Sequence, residues 1–222
     1  MIATTRTVFD RQLEDLQSRT LQLSERVTAQ VVQATRALQQ HDLNLAKRVD
    51  KADVEINALR FEIEESCYTL LALQQPNSHD MRRIVATVSV VTNLERMGDH
   101  AAGIARLAME LDRSMPIEEF NEMAKIATTN LTDAMTAFTT EDIILAREVV
   151  LRDERVDQLH KAVYDRLIRT MTEDTSTVEC ATKLLWVSHN LERYADRTSN
   201  ICERAIYLAT GELRHPRVDP MP

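Results

Sequence analysis

At 222 residues, with a formal net charge of −8 and only Gly 3 and Pro 5 to interrupt it, this chain excludes two broad classes at the outset. A strand-rich fold needs frequent turns, and turn residues are scarce. A nucleic-acid binder neutralises phosphates with surplus Lys and Arg, whereas here 27 basic residues face 35 acidic ones. Aromatics at 4% leave a core of aliphatic side chains.

The breakers divide the chain into six long helical segments. The first runs from about Thr5 to Gln40, carrying Val8, Leu13, Leu16, Leu23, Val27, Val31, Ala34 and Leu38 at three- and four-residue spacing. The second opens at Asp42, a good N-cap, and reaches about Leu73 before Pro76. The third starts near Asn77 and Ser78 and ends around Asp112. The fourth begins at Ser114-Met115-Pro116, where proline is tolerated in a first turn, and runs to about Phe138. The fifth opens at Asp142 and continues to about Met171. The sixth opens with Ser176-x-x-Glu179, a capping-box pattern, and stops before Gly211, leaving a frayed tail from Leu213.

The two halves repeat each other. Asn93-Leu94-Glu95-Arg96-Met97-Gly98-Asp99, closing at Ile104, returns as Asn190-Leu191-Glu192-Arg193-Tyr194-Ala195-Asp196, closing at Ile201. Upstream, Ala37, Asp42, Leu45, Ala46, Val49, Asp53 and Leu59 match Ala137, Asp142, Leu145, Ala146, Val149, Asp153 and Leu159 at an offset of 100. The offset falls to 97 for the later string, and the shortening sits where a loop is expected, near Pro76 and Ser176. The expected fold is all-α: six helices in two tandem, pseudo-symmetric three-helix bundles, residues 1–112 and 113–222. A helix of about thirty residues spans roughly 45 Å, so the molecule should be elongated.

Carboxylates sit on the apolar stripes. Ile84, Val88 and Val91 lead at helical spacing to Glu95, with Asp99 one turn on; Ala181, Leu185 and Ser188 lead likewise to Glu192 and Asp196. Like charges at i and i+4 repel, and burial disfavours them further, so the fold must supply something positive. Asp53 and Asn57 on the second helix, and Asp153 and Asp157 on the fifth, complete two sets of oxygen donors: Asp53, Asn57, Glu95, Asp99 and Asp153, Asp157, Glu192, Asp196. Arg96 and Arg193 are the alternative source of positive charge, as internal salt bridges. All-oxygen ligands favour Mg, Ca, Mn or iron. Asp42 and Asp142 repeat too, but as helix caps. Asp157-x-x-His160 is similar to the carboxylate-histidine pairs of di-iron bundles, but its counterpart is Asn57-x-x-Arg60, so the motif is not duplicated; His189 stands where the first half has Thr92 and is read as incidental.

Cys67, Cys180 and Cys202 show no C-x-x-C spacing, and reduced thiols of a cytoplasmic protein are the expectation. The start lacks a signal-peptide core, and the longest uncharged run, Ile84 to Leu94, is about half a membrane span.

With these residues in view the chain resembles the PhoU family, regulators of bacterial phosphate uptake. The resemblance covers nearly the full length. It rests on the doubled E-x-x-x-D motif, the paired Asp53 and Asp153 segments, and the run Gln75-Pro76-Asn77-Ser78-His79-Asp80-Met81-Arg82-Arg83-Ile84 entering the third helix. It implies a two-bundle, non-enzymatic protein acting as a negative regulator. Its implied partners are the ATPase subunit of a phosphate ABC transporter and a sensor histidine kinase; it would meet the membrane only through them, and as a homodimer. It further implies iron or zinc clusters at the E-x-x-x-D surfaces, with Asp53, Asp153, Glu95, Asp99, Glu192 and Asp196 as ligands and a weaker first site because of Asn57; with the oxygen-donor chemistry, the candidate ions are iron, zinc, manganese or magnesium. A metal-dependent nucleotide pyrophosphohydrolase would instead want dense E-E-x-x-E clusters, which Glu62, Glu64 and Glu65 match poorly. A di-iron oxidase would want two Glu-x-x-His helices.

Overall fold

Apolar side chains at three- and four-residue spacing, with almost no breakers, produce helices throughout the computed structural model, which describes residues 2–112 and 117–213. In chain order they are α1 (Ile2–Gln40), α2 (Leu43–Leu73), α3 (Ser78–Glu110), α4 (Glu118–Thr140), α5 (Ile143–Arg152), α6 (Glu154–Glu173) and α7 (Val178–Thr210). Leu23, Val27 and Val31 of α1 are fully buried, each such side chain contributing about 1.5–3 kcal/mol of transfer free energy.

The halves mirror each other in their turns as well. Asp42 and Asp142 each accept the backbone N–H three residues on, from Leu45 at 2.9 Å and Leu145 at 3.0 Å. His41 and Glu141, just before these caps, both take the left-handed conformation, with φ of 50° and 57°. Both loops are therefore closed by a left-handed residue at the same position and by the same aspartate cap.

Three details depart from the sequence reading. The fifth rod is not continuous: at Asp153 the N–H of Val156 takes the Asp153 carbonyl at 2.9 Å, and the regular bond from Asp157 stretches to 3.4 Å. The ladder tightens there for one turn and divides α5 from α6. Ser176 is not an N-cap, because Asp174 accepts from Ser176 N at 2.9 Å and opens a 3-10 turn, Thr175–Thr177, ahead of α7. Glu179, the other half of the expected capping box, pairs instead with Lys183 at 2.9 Å. The expected helix start at Ser114-Met115-Pro116 and the tail from residue 214 lie outside the described residues.

α1 and α2 pack on α3 to form one bundle; α4, α5 and α6 pack on α7 to form the other. The bundles meet where α3 lies against α7, with α1 against α4 beside them. The α3–α7 seam is antiparallel with constant register. The Arg82 guanidinium lies over Gly211, Asn93 meets Asn200, Gly103 faces Asn190, and the Glu110 carbonyl accepts from Lys183 at 2.8 Å. Residue numbers rise along α3 as fast as they fall along α7. Gly103 makes the close approach possible, since a Cβ there would stand 3.2 Å from Asn190 Oδ1. One buried reach also crosses from α7 to the other bundle: Tyr194 Oη donates to the Val27 carbonyl at 3.4 Å.

Candidate metal centres

In each bundle carboxylates of the second rod lie towards those of the last helix, but among the described residues only the second bundle gathers three of them within 4.8 Å of one another. In the first, Asp53 and Asn57 of α2 face Glu95 and Asp99 of α3. Gln30 of α1 donates to Asp53 Oδ1 at 3.4 Å, and Asn57 Nδ2 donates to Asp53 Oδ2 at 3.1 Å. Gly98 is small for this reason: a Cβ there would meet Ile56 at 3.1 Å, Gln30 Oε1 at 3.2 Å and Asp53 Oδ1 at 3.3 Å. Burial raises the Asp53 pKa, opposed by the Gln30 hydrogen bond and reinforced by the Asp99 charge. Burial and then Asp99 raise Glu95 too, while Arg96 and Arg60 pull it down. Arg96 lies 3.2 Å from Asp99 and 3.6 Å from Glu95, but more than half its side chain is in solvent, so it screens the pair weakly. The arginine alternative is thus present in geometry in both halves, Arg193 standing 3.5 Å from Asp196 as Arg96 stands by Asp99.

The second set is tighter. One carboxylate oxygen each of Asp157, Glu192 and Asp196 lie within 4.8 Å of one another, the one such group of acids, histidines or cysteines among the described residues. Asp153, at the break between α5 and α6, is 2% exposed. Burial, then the Asp196 charge, pushes Glu192 up to about 7; Arg193 opposes, and Asp157 and Asp153 add to the rise. Glu192 Oε2 is sealed from solvent and accepts no hydrogen bond. Burial and like charge together hold Glu192 up, while Arg193 stands 3.5 Å from Asp196 on the same face.

Four further residues stand beside the two sets: Gln30, Arg60, His160 and His189. Gln30 sits on α1, outside the repeated strings, so only tertiary structure could join it to Asp53. Arg60 acts on Glu95 and forms a 3.0 Å pair with Glu64. The histidines stand beside the second set: His189 Nδ1 lies 3.5 Å from Glu192 Oε2, and the His160 ring is 6.4 Å from the His189 ring. The signal was available, since His189 precedes Glu192 by three residues and so shares its helix face.

The architecture and sites define a class: all-α proteins built from a duplicated three-helix bundle, each bundle presenting an E-x-x-x-D carboxylate surface. No helix among the described residues is long and apolar enough to cross a membrane. The PhoU domain family matches residues 20–108 and again 120–205, and the chain belongs to that family. The chain is 37% identical over 212 residues to the "phosphate-specific transport system accessory protein PhoU homolog" of Clostridium acetobutylicum, covering 94% of this chain and 97% of that one. Against the homologue of the same description from Streptococcus pneumoniae serotype 4 it is 36% identical over 211 residues, 94% and 98% of the two chains. The crystal structure of the phosphate transport system regulatory protein PhoU from Streptococcus pneumoniae superposes with a TM-score of 0.87 at 34% identity, covering 93% of this chain and 99% of that one. PhoU from Pseudomonas aeruginosa gives a TM-score of 0.87 at 33% identity, with 92% and 100% covered.

Proposed function

We propose that this protein is a cytoplasmic regulator of a phosphate-specific transport system, restraining phosphate uptake and the phosphate-starvation response. The observation that carries this reading is family membership over nearly the whole chain, together with both copies of the carboxylate surface. The protein works by docking, as a homodimer, to the ATPase subunit of a phosphate ABC transporter and to the cytoplasmic part of a sensor histidine kinase. It reaches the membrane only through them.

Metal ions take part in this reading. The two sets of carboxylates fit a cation, because Glu95 and Glu192 hold their protons too tightly for ordinary solvated acids and Glu192 Oε2 lacks a donor. Glu95, Asp99, Asp53 and Asn57 would hold it in the first bundle, and Glu192, Asp196, Asp153 and Asp157 in the second. A bound cation would supply the positive charge that the arginines do not, and would fix each E-x-x-x-D surface for docking.

Deletion tests the regulatory reading. Loss of the gene should raise phosphate-starvation reporters in phosphate-rich medium, with transporter and kinase intact. Unchanged reporters would refute it. Co-purification from cells expressing both membrane systems should recover the ATPase subunit or the kinase; recovery of neither would refute docking.

A further inference from the structure

The exposed edge of the α3–α7 seam carries a row of arginines. On α7, Arg193, Arg197 and Arg204 follow at intervals of four and seven residues, on the helix face that turns Asn190 and Asn200 towards α3. On α3, Arg82 and Arg96 flank Asn93 on the matching face. The constant register of the seam brings Arg96 level with Arg197, and His100 level with Arg193. From Arg82 to His100 the row rises about 27 Å along α3. In a chain of net charge −8 this seam is a local reversal of sign.

Three of the five guanidiniums have acids beside them. Arg96 lies 3.2 Å from Asp99, Arg193 3.5 Å from Asp196 and Arg204 3.3 Å from Glu203. Arg82 and Arg197 make no ion pair among the described residues; both are half-buried, and the Nε of each is sealed without an acceptor. A guanidinium drawn partly out of water with no carboxylate beside it is a cost, which a carboxylate arriving from outside offsets. Its planar fork suits that carboxylate, accommodating it with two parallel hydrogen bonds.

The row also has a direction. At the repeat offset of 97, Arg82 has Glu179 as its counterpart, Leu107 has Arg204, and Ser89 has Trp186. One end of the seam is therefore cationic and the other apolar. Trp186, the one tryptophan of the chain, is 55% exposed and by the same register stands level with the partly buried Leu107. Exposed tryptophan in line with arginines is the composition of the residues that dominate protein-protein interfaces.

We propose that this seam is the docking groove for an acidic helical segment of a partner protein, with carboxylates over the arginines and a large apolar side chain on Trp186. The proposal names the surface and the chemistry for the docking reading above, and rests on that reading. Acids repeated on the segment at intervals of four and seven residues match Arg193, Arg197 and Arg204, as helices laid in grooves are recognised through such anchors. A single small anion would fill only a fraction of so long a row.

The test uses the full chain in chelator, so that cations play no part, with a labelled synthetic helix. The helix carries glutamates at intervals of four and seven residues and a leucine beyond them. Anisotropy should show saturable binding that weakens as salt rises, and the emission of Trp186 should shift. The same helix with glutamine for glutamate should not bind. Arg82→Glu with Arg197→Glu should weaken binding roughly tenfold or more, Arg197→Lys should keep part of it, and Lys125→Glu on α4 should change nothing. Melts establish that the variants are folded, and the glutamine helix and the salt series, which need only the unaltered chain, keep the test decisive if they are not. Equal binding of the glutamine helix would overturn the proposal. So would displacement by inorganic phosphate at comparable affinity, which would make the row a free-anion site. Loss of self-association on reversing Arg82 and Arg197, read by sedimentation, would overturn it in favour of a second copy of this chain. Recovery of the transporter ATPase or the kinase from cells undiminished by the double reversal would overturn the seam and leave docking standing. Binding of the helix as expected, with neither protein recovered from cells, would overturn the docking reading and leave the seam.

Discussion

Asn200 of α7 donates its side-chain amide to Asn93 Oδ1 of α3 at 3.1 Å, across the seam between the bundles. The repeat turns Asn93 into Asn190 and Gly103 into Asn200, so the symmetric contact is Asn190 against Gly103. There the missing side chain is replaced by His100, whose Nδ1 lies 3.1 Å from Asn190 Oδ1. A local twofold thus relates the bundles, and one of its two polar contacts has been rebuilt with a different partner. Asn200→Ala should lower stability by about 1 kcal/mol, the net worth of one part-buried hydrogen bond. Gly103→Ala should be nearly neutral, because a gain of up to about 1 kcal/mol in helix propensity offsets the displacement of Asn190. Urea unfolding with unchanged slope would check both, and a larger loss for Gly103→Ala than for Asn200→Ala would contradict the assignment.

The caps offer an independent measure of the duplication. Asp42→Ala and Asp142→Ala each remove an equivalent side-chain bond to a helix N-terminus, at a cost of about 1 kcal/mol apiece. The two residues lie in different bundles, so the double variant should show the sum of the single losses. Chemical denaturation of the three variants reads this directly. A double variant far from additive would mean that the loops communicate.

Much of this architecture can be read before any coordinates exist. Periodic aliphatic residues and scarce breakers specify the helices, and the duplicated polar strings specify two bundles with their carboxylates on packing faces. What escapes sequence reading is whatever depends on geometry finer than period. The division at Asp153 leaves that residue's φ and ψ helical, so no turn residue announces it. Asp174 takes the cap from Ser176 because a 3-10 turn fits in the loop, a choice made by loop length and not by the capping pattern. Gln30 reaches Asp53 from a helix with no carboxylate motif.

The thiols should differ sharply in reactivity. Burial pushes Cys67 and Cys202 up to about 12, with Glu64 adding to the first and Asp153 to the second. The thiolate is the reacting form, so both should be inert near neutral pH in the folded protein. Cys180, half-buried near the start of α7, should be alkylated first. Iodoacetamide labelling followed by peptide mapping should find modification at Cys180 in native protein, and at all three only after denaturation. Early labelling of Cys67 would mean that α2 opens away from its bundle.

In chelated protein at neutral pH, Glu192 is a burden, since its charge is buried beside Asp196 and Asp157 with Arg193 opposing. Glu192→Gln should therefore melt at the same or a higher temperature than wild type in chelator. A cation that binds only the folded state at a hundred times its dissociation constant adds about 2.7 kcal/mol to wild type. The variant should lose most of the part that comes from the second bundle, while Glu95→Gln keeps it. Thermal melts with and without added cation decide this. A strongly destabilised Glu192→Gln in chelator, with no cation effect on wild type, would make Glu192 a structural partner of Arg193.

The same carboxylate gives stability a pH dependence of defined sign. Its ordinary value of 4.5 applies to the unfolded chain, and the folded protein raises it to about 7. Between these values the folded state keeps a proton that the unfolded state releases, so stability is greatest below the lower value and is lost as pH rises towards the upper one. Glu95 and Asp53, also raised by burial, act in the same direction. His100 and His160, lowered by burial, act oppositely: the unfolded chain protonates them first, so they add stability as pH rises towards 6.5. The net slope mixes these contributions, but the difference between wild type and Glu192→Gln isolates one. In chelator, wild type should lose melting temperature relative to the variant steadily from about pH 4.5 to 7, and the gap should be constant above that range. A gap independent of pH across the window would place the Glu192 carboxyl in solvent and remove the electrostatic basis for a cation in the second bundle.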